Sequence, residues 1–266
     1  MLIGISDTPW LDARVLAGHV LGLDASAIVA YGDHPLRAKQ RERLLALARR
    51  RATGEPVAYL VGHKEFCGIR VLVDRRVLVP RPETEELVLA IADDWRGMPA
   101  DIIDVGTGSG AIACALAHVL PRAAITATDI SADALEVAKA NVEQLALSER
   151  IALVNGDLFA PLVQERTFDV IVANLPYVAS ADAALAPDVR AHEPHGALFA
   201  GADGLDSYRR LLAQAPQRLE PHGRAYFECG PSTARGLRAL AQAAFPERAV
   251  TVREDAGGRE RMVLVA

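Results

Sequence analysis

Two short stretches of the sequence hold residue types that can do chemistry. In "DVGTGSGAIA", Asp104 to Ala113, glycines stand at 106, 108 and 110 between an apolar run and a helical one. Glycines there let the backbone turn tightly and bring amide N–H groups close to a ligand at a helix amino end. In "VIVANLPYVAS", Val170 to Ser180, an apolar strand stops at Asn174-Leu175-Pro176-Tyr177, an ending that packing alone does not call for. Two acids follow neighbouring apolar runs, Asp129 at the end of "ITATDI" and Asp157 in "NGDLF".

The glycine turn admits two ligands. Gly106, Gly108 and Ala111 satisfy a relaxed dinucleotide fingerprint, so a nicotinamide dehydrogenase competes with any other reading. Asp104, two residues before the first glycine, weighs against a pyrophosphate, whose charge it would repel, and favours a zwitterion bearing an ammonium group. Asp129 is placed to accept both ribose hydroxyls of an adenosine. Asp157 can accept from an adenine amino group while Leu158 packs on the ring. The competing local reading is that these acids cap helices or turns after strands.

Asn174 to Tyr177 fit the methylation of a planar nitrogen. Such a nitrogen needs its hydrogens held by acceptors so that its lone pair points at the methyl carbon. The Asn174 side-chain oxygen and the Leu175 carbonyl supply two acceptors. Pro176 has no N–H and a fixed φ, which stiffens the turn, and Tyr177 offers a flat face to cover the group. The bland alternative is an ordinary strand-ending turn.

The elements that must position these residues follow from periodicity. From residue 100 onward, apolar strands alternate with amphipathic helices, which predicts an α/β fold with a doubly wound, mostly parallel sheet and ligands at the carboxyl ends of its strands. A helix over Ser207 to Leu219, the strand "GRAYFECG", a helix to Phe245 and a last strand "RMVLVA" complete it. Ahead of this, Pro9 to Gly22 reads as a helix with Leu11, Val15, Leu16 and Val20 inward, and "RAKQRERLLALARRRATG" as another with Leu44, Leu45 and Leu47 inward. The segment "EFCGIRVLVDRRVLVP" reads as a hairpin turning at Gly68 and Asp74-Arg75. The expected organisation is a helical unit at 1–60, a hairpin linker at 61–80 and the α/β domain at 81–266.

With 51% apolar residues in 266, the chain can bury a full core, and its net charge of -5 disfavours nucleic acid and anionic membranes as partners. Cys67, Cys114 and Cys229 show neither disulfide nor zinc spacing. No histidine joins them in a ligand pattern, so no metal is expected. The opening "MLIGISDTPW" carries no basic leader, and the expectation is a cytoplasmic monomer. The basic helix at Arg37 to Arg51 is either a solvated face or a dock for an acidic partner.

Asp-x-Gly-x-Gly-x-Gly followed by Asn-x-Pro-Tyr resembles the class I S-adenosylmethionine methyltransferases that act on planar nitrogen. Within that class, "GEPVAYLVGHKEFCGIRVLVDRRVLVPRPETEELV", with Arg81 to Glu85 matching residue by residue, resembles the release-factor glutamine methyltransferases. "HEPHGALFAGADGLDSYRRLL" and "VREDAGGRER" extend the likeness over nearly the whole chain. The resemblance implies that Asp104 and Gly106, Thr107, Gly108, Ser109 and Gly110 hold the methionine part of S-adenosylmethionine. By the same carry-over, Asp129 takes the ribose, Asp157 and Leu158 the adenine, and Asn174, Leu175, Pro176 and Tyr177 the substrate glutamine, with Asn174 also near the donor. The implied substrate is the glutamine of a Gly-Gly-Gln loop in peptide-chain release factors. Leu175 replaces the usual first proline of the signature, and Thr233 stands where many relatives carry glutamine. Another protein glutamine, as in a ribosomal protein, an adenine amino group in nucleic acid, and a non-catalytic cofactor-binding module remain the alternatives.

Overall fold

The computed structural model describes residues 2, 6, 8–30 and 35–266, so parts of the helical unit expected at 1–60 lie outside the described residues. Helix α1, Pro9–Leu21, starts on a proline whose missing N–H costs nothing there and ends at Gly22, left-handed with φ 68°. Its buried face carries Asp12 and Leu16, whereas Leu11 and Val15, expected inward, are 52% and 37% exposed. The helix is rotated because Asp12, one turn before Leu16, meets Arg51 of α3. Helices α2 (Ala25–Ala30), α3 (Ala38–Ala52) and α4 (Val57–Val61) follow. Leu16, Leu47, Leu60 and Val61 form their small core, with Leu44 at its edge, while Leu45 faces out.

Strands β1 (His63–Phe66) and β2 (Ile69–Leu72) form the antiparallel hairpin. Its two-residue turn puts Cys67 and Gly68 at φ 47° and 75°, the left-handed pair that matches the twist of a tight hairpin. Phe66, Ile69 and Val71 meet the helical unit only through Ala58 and Tyr59 of α4. They join the large apolar cluster on one face of the main sheet, so the hairpin is fastened to that sheet by burial. Helix α5, Pro82–Asp94, which the periodicity did not announce, packs Leu87, Val88 and Ile91 into the same cluster.

The main sheet is built from β3 (Ala100–Val105), β4 (Ala123–Asp129), β5 (Ile151–Asn155), β6 (Phe168–Ala173), β7 (Leu219–Glu228), β8 (Val250–Glu254) and β9 (Glu260–Val265). Their spatial order is β5-β4-β3-β6-β7-β9-β8. The first five are parallel, and β9 runs antiparallel between β7 and β8. Between them lie α6 (Ala111–Val119), α7 (Ala132–Gln144), α8 (Pro187–His192), α9 (Asp206–Leu212) and α10 (Ala234–Ala244). The doubly wound, mostly parallel α/β class is therefore the observed one. The helix expected over 207–219 ends early at Leu212 and gives way to a 3₁₀ turn at Ala215–Gln217, because Pro216 cannot continue the α-helical ladder. Strand β8, mostly exposed at the sheet edge, had no apolar alternation strong enough to announce it.

Order reverses at β3, flanked by β4 on one side and β6 on the other, which opens a crevice beyond their carboxyl ends. Among the described residues no helix is long and apolar enough to cross a membrane.

Candidate active site

A cavity of about 450 Å³ occupies that crevice, within the range of about 300–1,000 Å³ typical of small-ligand sites. Its walls come from the ends of β3, β4, β5 and β6, from α9 and from the linker residues Val77, Leu78 and Pro80.

The glycine turn between β3 and α6 is shaped by its neighbours. Gly106 has φ 75°, and a side chain there would lie 2.6 Å from Leu175 Cδ2, so the turn and the Asn-Leu-Pro-Tyr segment pack directly on each other. Gly110, also left-handed, would bring a Cβ 3.2 Å from Ala138 Cβ. The Gly106 and Thr107 N–H groups both donate to the Thr128 carbonyl, at 2.8 and 2.9 Å. Gly108 N–H donates to Asp129 Oδ2 at 2.8 Å, and Ser131 N–H to Asp129 Oδ1 at 2.8 Å. Asp129 thus sits with each oxygen held by one amide. Since each carboxylate oxygen accepts twice, one site per oxygen is left for a diol. Burial raises its pKa, and the two amide bonds pull against that.

Asp104 is not a wall of the cavity. It is wholly buried behind the turn, where Oδ2 accepts the Thr107 hydroxyl at 2.6 Å, the Ala113 N–H faces the carboxyl, and Oδ1 has no partner of good hydrogen-bond geometry. Burial pushes its carboxyl up to about 7. Gly110 likewise stands back from the cavity, whereas Thr107, Gly108 and Ser109 line it. Asp157 and Leu158 line the far end. Asp157 is ion-paired with Arg210 of α9, itself a wall residue. Leu158 has φ 53°, a strained conformation for leucine of the kind that clusters at functional sites.

Asn174, Leu175 and Pro176 line the cavity beside the glycine turn. Asn174 Nδ2 donates to Thr84 Oγ1 at 3.2 Å, which leaves the amide oxygen as the acceptor available to a ligand. Leu175 N–H donates to the Tyr208 hydroxyl at 3.3 Å. Tyr177 turns away from the cavity wall. Its hydroxyl donates to Glu228 Oε1 at 3.3 Å and its ring lies against Gly230, where a Cβ would come within 3.3 Å. Burial, then the Glu228 carboxylate, raises its phenol pKa.

Several residues here carried no signal in the motifs. Thr84 stands inside the Arg81–Glu85 run, but nothing in its type announced that it would meet Asn174. Asn141 of α7 is fully buried: Oδ1 accepts Leu72 N–H at 2.6 Å, and Nδ2 donates to the carbonyls of Leu72 and Ser109 at 3.0 and 2.9 Å. One side chain thereby ties the hairpin to the glycine turn. Glu193 accepts Val79 N–H at 3.0 Å and the Arg81 guanidinium at 2.5 Å. Glu83 faces Arg259 and Arg261 at 3.6 and 3.7 Å. Arg81 and Glu83 therefore fix the linker rather than line the cavity. The basic helix α3 is not wholly a solvated face either, since Arg51 reaches Asp12 at 2.7 Å and Asp188 of α8 at 3.2 Å. Among the described residues no group of three or more His, Cys, Asp or Glu could hold a metal ion.

The sequence matches two family profiles, a PrmC N-terminal domain over residues 3–62 and a methyltransferase small domain over residues 84–190. A protein of Rhodopirellula baltica named release factor glutamine methyltransferase is 42% identical over 264 residues, covering 97% of this chain and 89% of its own. One of the same name from Bordetella pertussis is 41% identical, covering 96% of this chain and 93% of its own. Among solved structures, a methyltransferase from Pyrococcus furiosus superposes with a TM-score of 0.56 at 19% identity, covering 74% of this chain and 88% of its own. At that identity the likeness concerns the fold alone.

Proposed function

The chain belongs to the release factor glutamine methyltransferase family, and we propose that it methylates the side-chain amide nitrogen of the glutamine in the Gly-Gly-Gln loop of peptide-chain release factors. The observation that carries this reading is the direct packing of Gly106 on Leu175, which sets an adenosine-type pocket and an amide-holding turn against one another at the switch point of the sheet.

The pocket suits S-adenosylmethionine on its own features. Asp129 keeps one acceptor site on each oxygen, Leu158 gives an apolar wall, and Gly108 leaves open space where a side chain would stand. S-adenosylmethionine, when bound there, supplies a methyl group from its sulfonium to a nucleophile approaching in line.

An amide nitrogen is a poor nucleophile because its lone pair is delocalised into the carbonyl. The chain's contribution is therefore alignment, which can be worth as much as about 7–11 kcal/mol. Asn174 Oδ1 and the Leu175 carbonyl hold the two amide hydrogens. Thr84 keeps the Asn174 amide from flipping by taking its Nδ2. Pro176 stiffens the turn, and Tyr177, which stands off the cavity wall, anchors it to Glu228. The proton passes to water or to one of these acceptors after the methyl has moved. In this reading residues 1–60 recognise the release factor, 61–80 link, and 81–266 catalyse, in a monomer working in the cytoplasm where its substrate does.

The test offers labelled S-adenosylmethionine with a release factor, a Gly-Gly-Gln peptide and DNA in parallel. Label in the release factor, lost by more than tenfold in Asn174→Ala while affinity for the product nucleoside stays near normal, supports the reading. Label on DNA alone sinks it. Label nowhere, with tight nucleoside binding, points instead to a non-catalytic module.

A further inference from the structure

Beneath the Asn174–Tyr177 turn lies a carboxyl group that the mechanism above leaves unused. Glu228 ends β7, the neighbour of β6, and is 2% exposed. A carboxylate so deep in an apolar sheet is costly unless it is hydrogen-bonded. Here one oxygen takes the Tyr177 hydroxyl at 3.3 Å, while Oε2 is buried without a partner of good hydrogen-bond geometry. The Thr84 hydroxyl faces the same carboxyl, and it is Thr84 that receives Asn174 Nδ2. The main chain repeats the connection, since the Tyr208 hydroxyl bonds the Glu228 carbonyl and accepts Leu175 N–H. Asn174, Leu175 and Tyr177 are thus each joined to Glu228 through no more than one intervening side chain.

A hydroxyl has a single proton and two lone pairs. If the Thr84 proton points to a carboxylate, its lone pairs are free for Asn174 Nδ2 and the Asn174 oxygen is the atom presented to the substrate. If Thr84 instead accepts from that side, its own proton loses the carboxylate and turns toward Asn174, where an amide oxygen is a better partner than Nδ2, and the amide is driven to flip. We propose that Glu228 is the positioning residue of the transfer, orienting the Asn174 amide through Thr84 and holding Tyr177 directly. This rests on the reading that Asn174 and the Leu175 carbonyl grip the substrate amide.

The electrostatics agree with this geometry. Burial pushes the Glu228 carboxyl up to about 7; the hydroxyls of Thr84 and Tyr177 and the charge of Arg261 on β9 pull it down, while Glu83 on α5 pushes it up. Tyr208 on α9 and the adjoining Cys229 also face it, both with raised pKa values. Below neutrality the group gains a proton, becomes a donor toward Thr84, and reverses the chain that holds Asn174.

The experiment is steady-state kinetics on the full chain with a release factor as substrate. Glu228→Gln should lower kcat tenfold or more, leave KM within threefold, and leave calorimetric affinity for the product nucleoside within twofold. The acidic limb of the kcat profile near pH 7 should vanish with it. Thr84→Val should give a similar deficit, and the double variant should lose no more than either alone. A wild-type kcat in Glu228→Gln with the limb intact overturns the proposal, as do deficits that simply add. If Glu228→Gln does not fold, Thr84→Val with a normal kcat and an unchanged limb overturns it equally. Asn174→Ala in the same series separates the two readings. Full activity there sinks the assignment of the turn, whereas an inactive Asn174→Ala beside a normal Glu228→Gln sinks only the positioning role.

Discussion

Replacing Asp104 by asparagine should remove the share of the pH dependence of stability that Asp104 contributes. The Asp104 carboxyl is wholly enclosed, has the Thr107 hydroxyl on one oxygen and no well-aligned donor on the other, and is pushed from the ordinary aspartate value of 3.8 to about 7, chiefly by burial, with Thr107 and the Ala113 N–H pulling against it. An acid raised in the folded state contributes stability that is complete below 3.8 and is lost as pH climbs to about 7, because the unfolded chain releases its proton first. At about 1.36 kcal/mol per pH unit, the loss comes to about 4 kcal/mol. Asparagine keeps the shape and still accepts from Thr107, yet its buried Nδ2 finds no acceptor beside the Ala113 N–H, at a cost of about 1–3 kcal/mol. Asp104→Asn should therefore be less stable than the natural chain near pH 4 and more stable at pH 8, by about 1–3 kcal/mol each way. Glu228, also raised, is present in both proteins and cancels in the difference. Urea unfolding at pH 4.5, 6 and 8 reads the crossing. A difference that does not change with pH would mean that Asp104 ionises normally in the folded protein, and the burial argument would fail. Because Asp104 reaches the cavity only through Thr107, affinity for the product nucleoside should stay within threefold in the same variant.

Asp129→Ala removes both acceptors held ready for a diol and should weaken nucleoside binding at least tenfold by calorimetry; full-strength binding would contradict the ribose role. Gly106→Ala forces a left-handed residue, costing about 1–2 kcal/mol, and drives a methyl to 2.6 Å from Leu175 Cδ2. It should lower the melting temperature and the methylation rate together, and a variant matching the natural chain in both would refute the packing described. Asn141→Leu strips partners from Leu72 N–H and from two carbonyls, and should cost about 2 kcal/mol or more in urea unfolding. A loss under about 0.5 kcal/mol would show that the hairpin is held without that clamp.

What could be read along the chain was whatever is contiguous. The alternation of strand and helix from residue 100, the three glycines before α6 and the Asn-Leu-Pro-Tyr ending of β6 are each local patterns, and each stands where the fold needs it. Rotation about a helix axis is not local. Leu11, Val15 and Leu45 faced outward because the pairing of Asp12 with Arg51, 39 residues apart, turned the helices. Short elements also escaped notice, since five residues of β8 or six of α2 hold too few periods to register.

The amino-acid sequence alone determined the class of fold, the glycine turn and its pairing with the Asn-Leu-Pro-Tyr segment, because backbone conformation and hydrophobic period are encoded within a few neighbouring residues. Tertiary structure alone decided the supports: Thr84 under Asn174, Asn141 between hairpin and turn, Glu193 on Arg81, Glu228 beneath Tyr177. Each joins groups between 32 and 112 residues apart. Contacts over such distances become defined only when the sheet order sets β7 beside β6 and packs α5 and α7 around them.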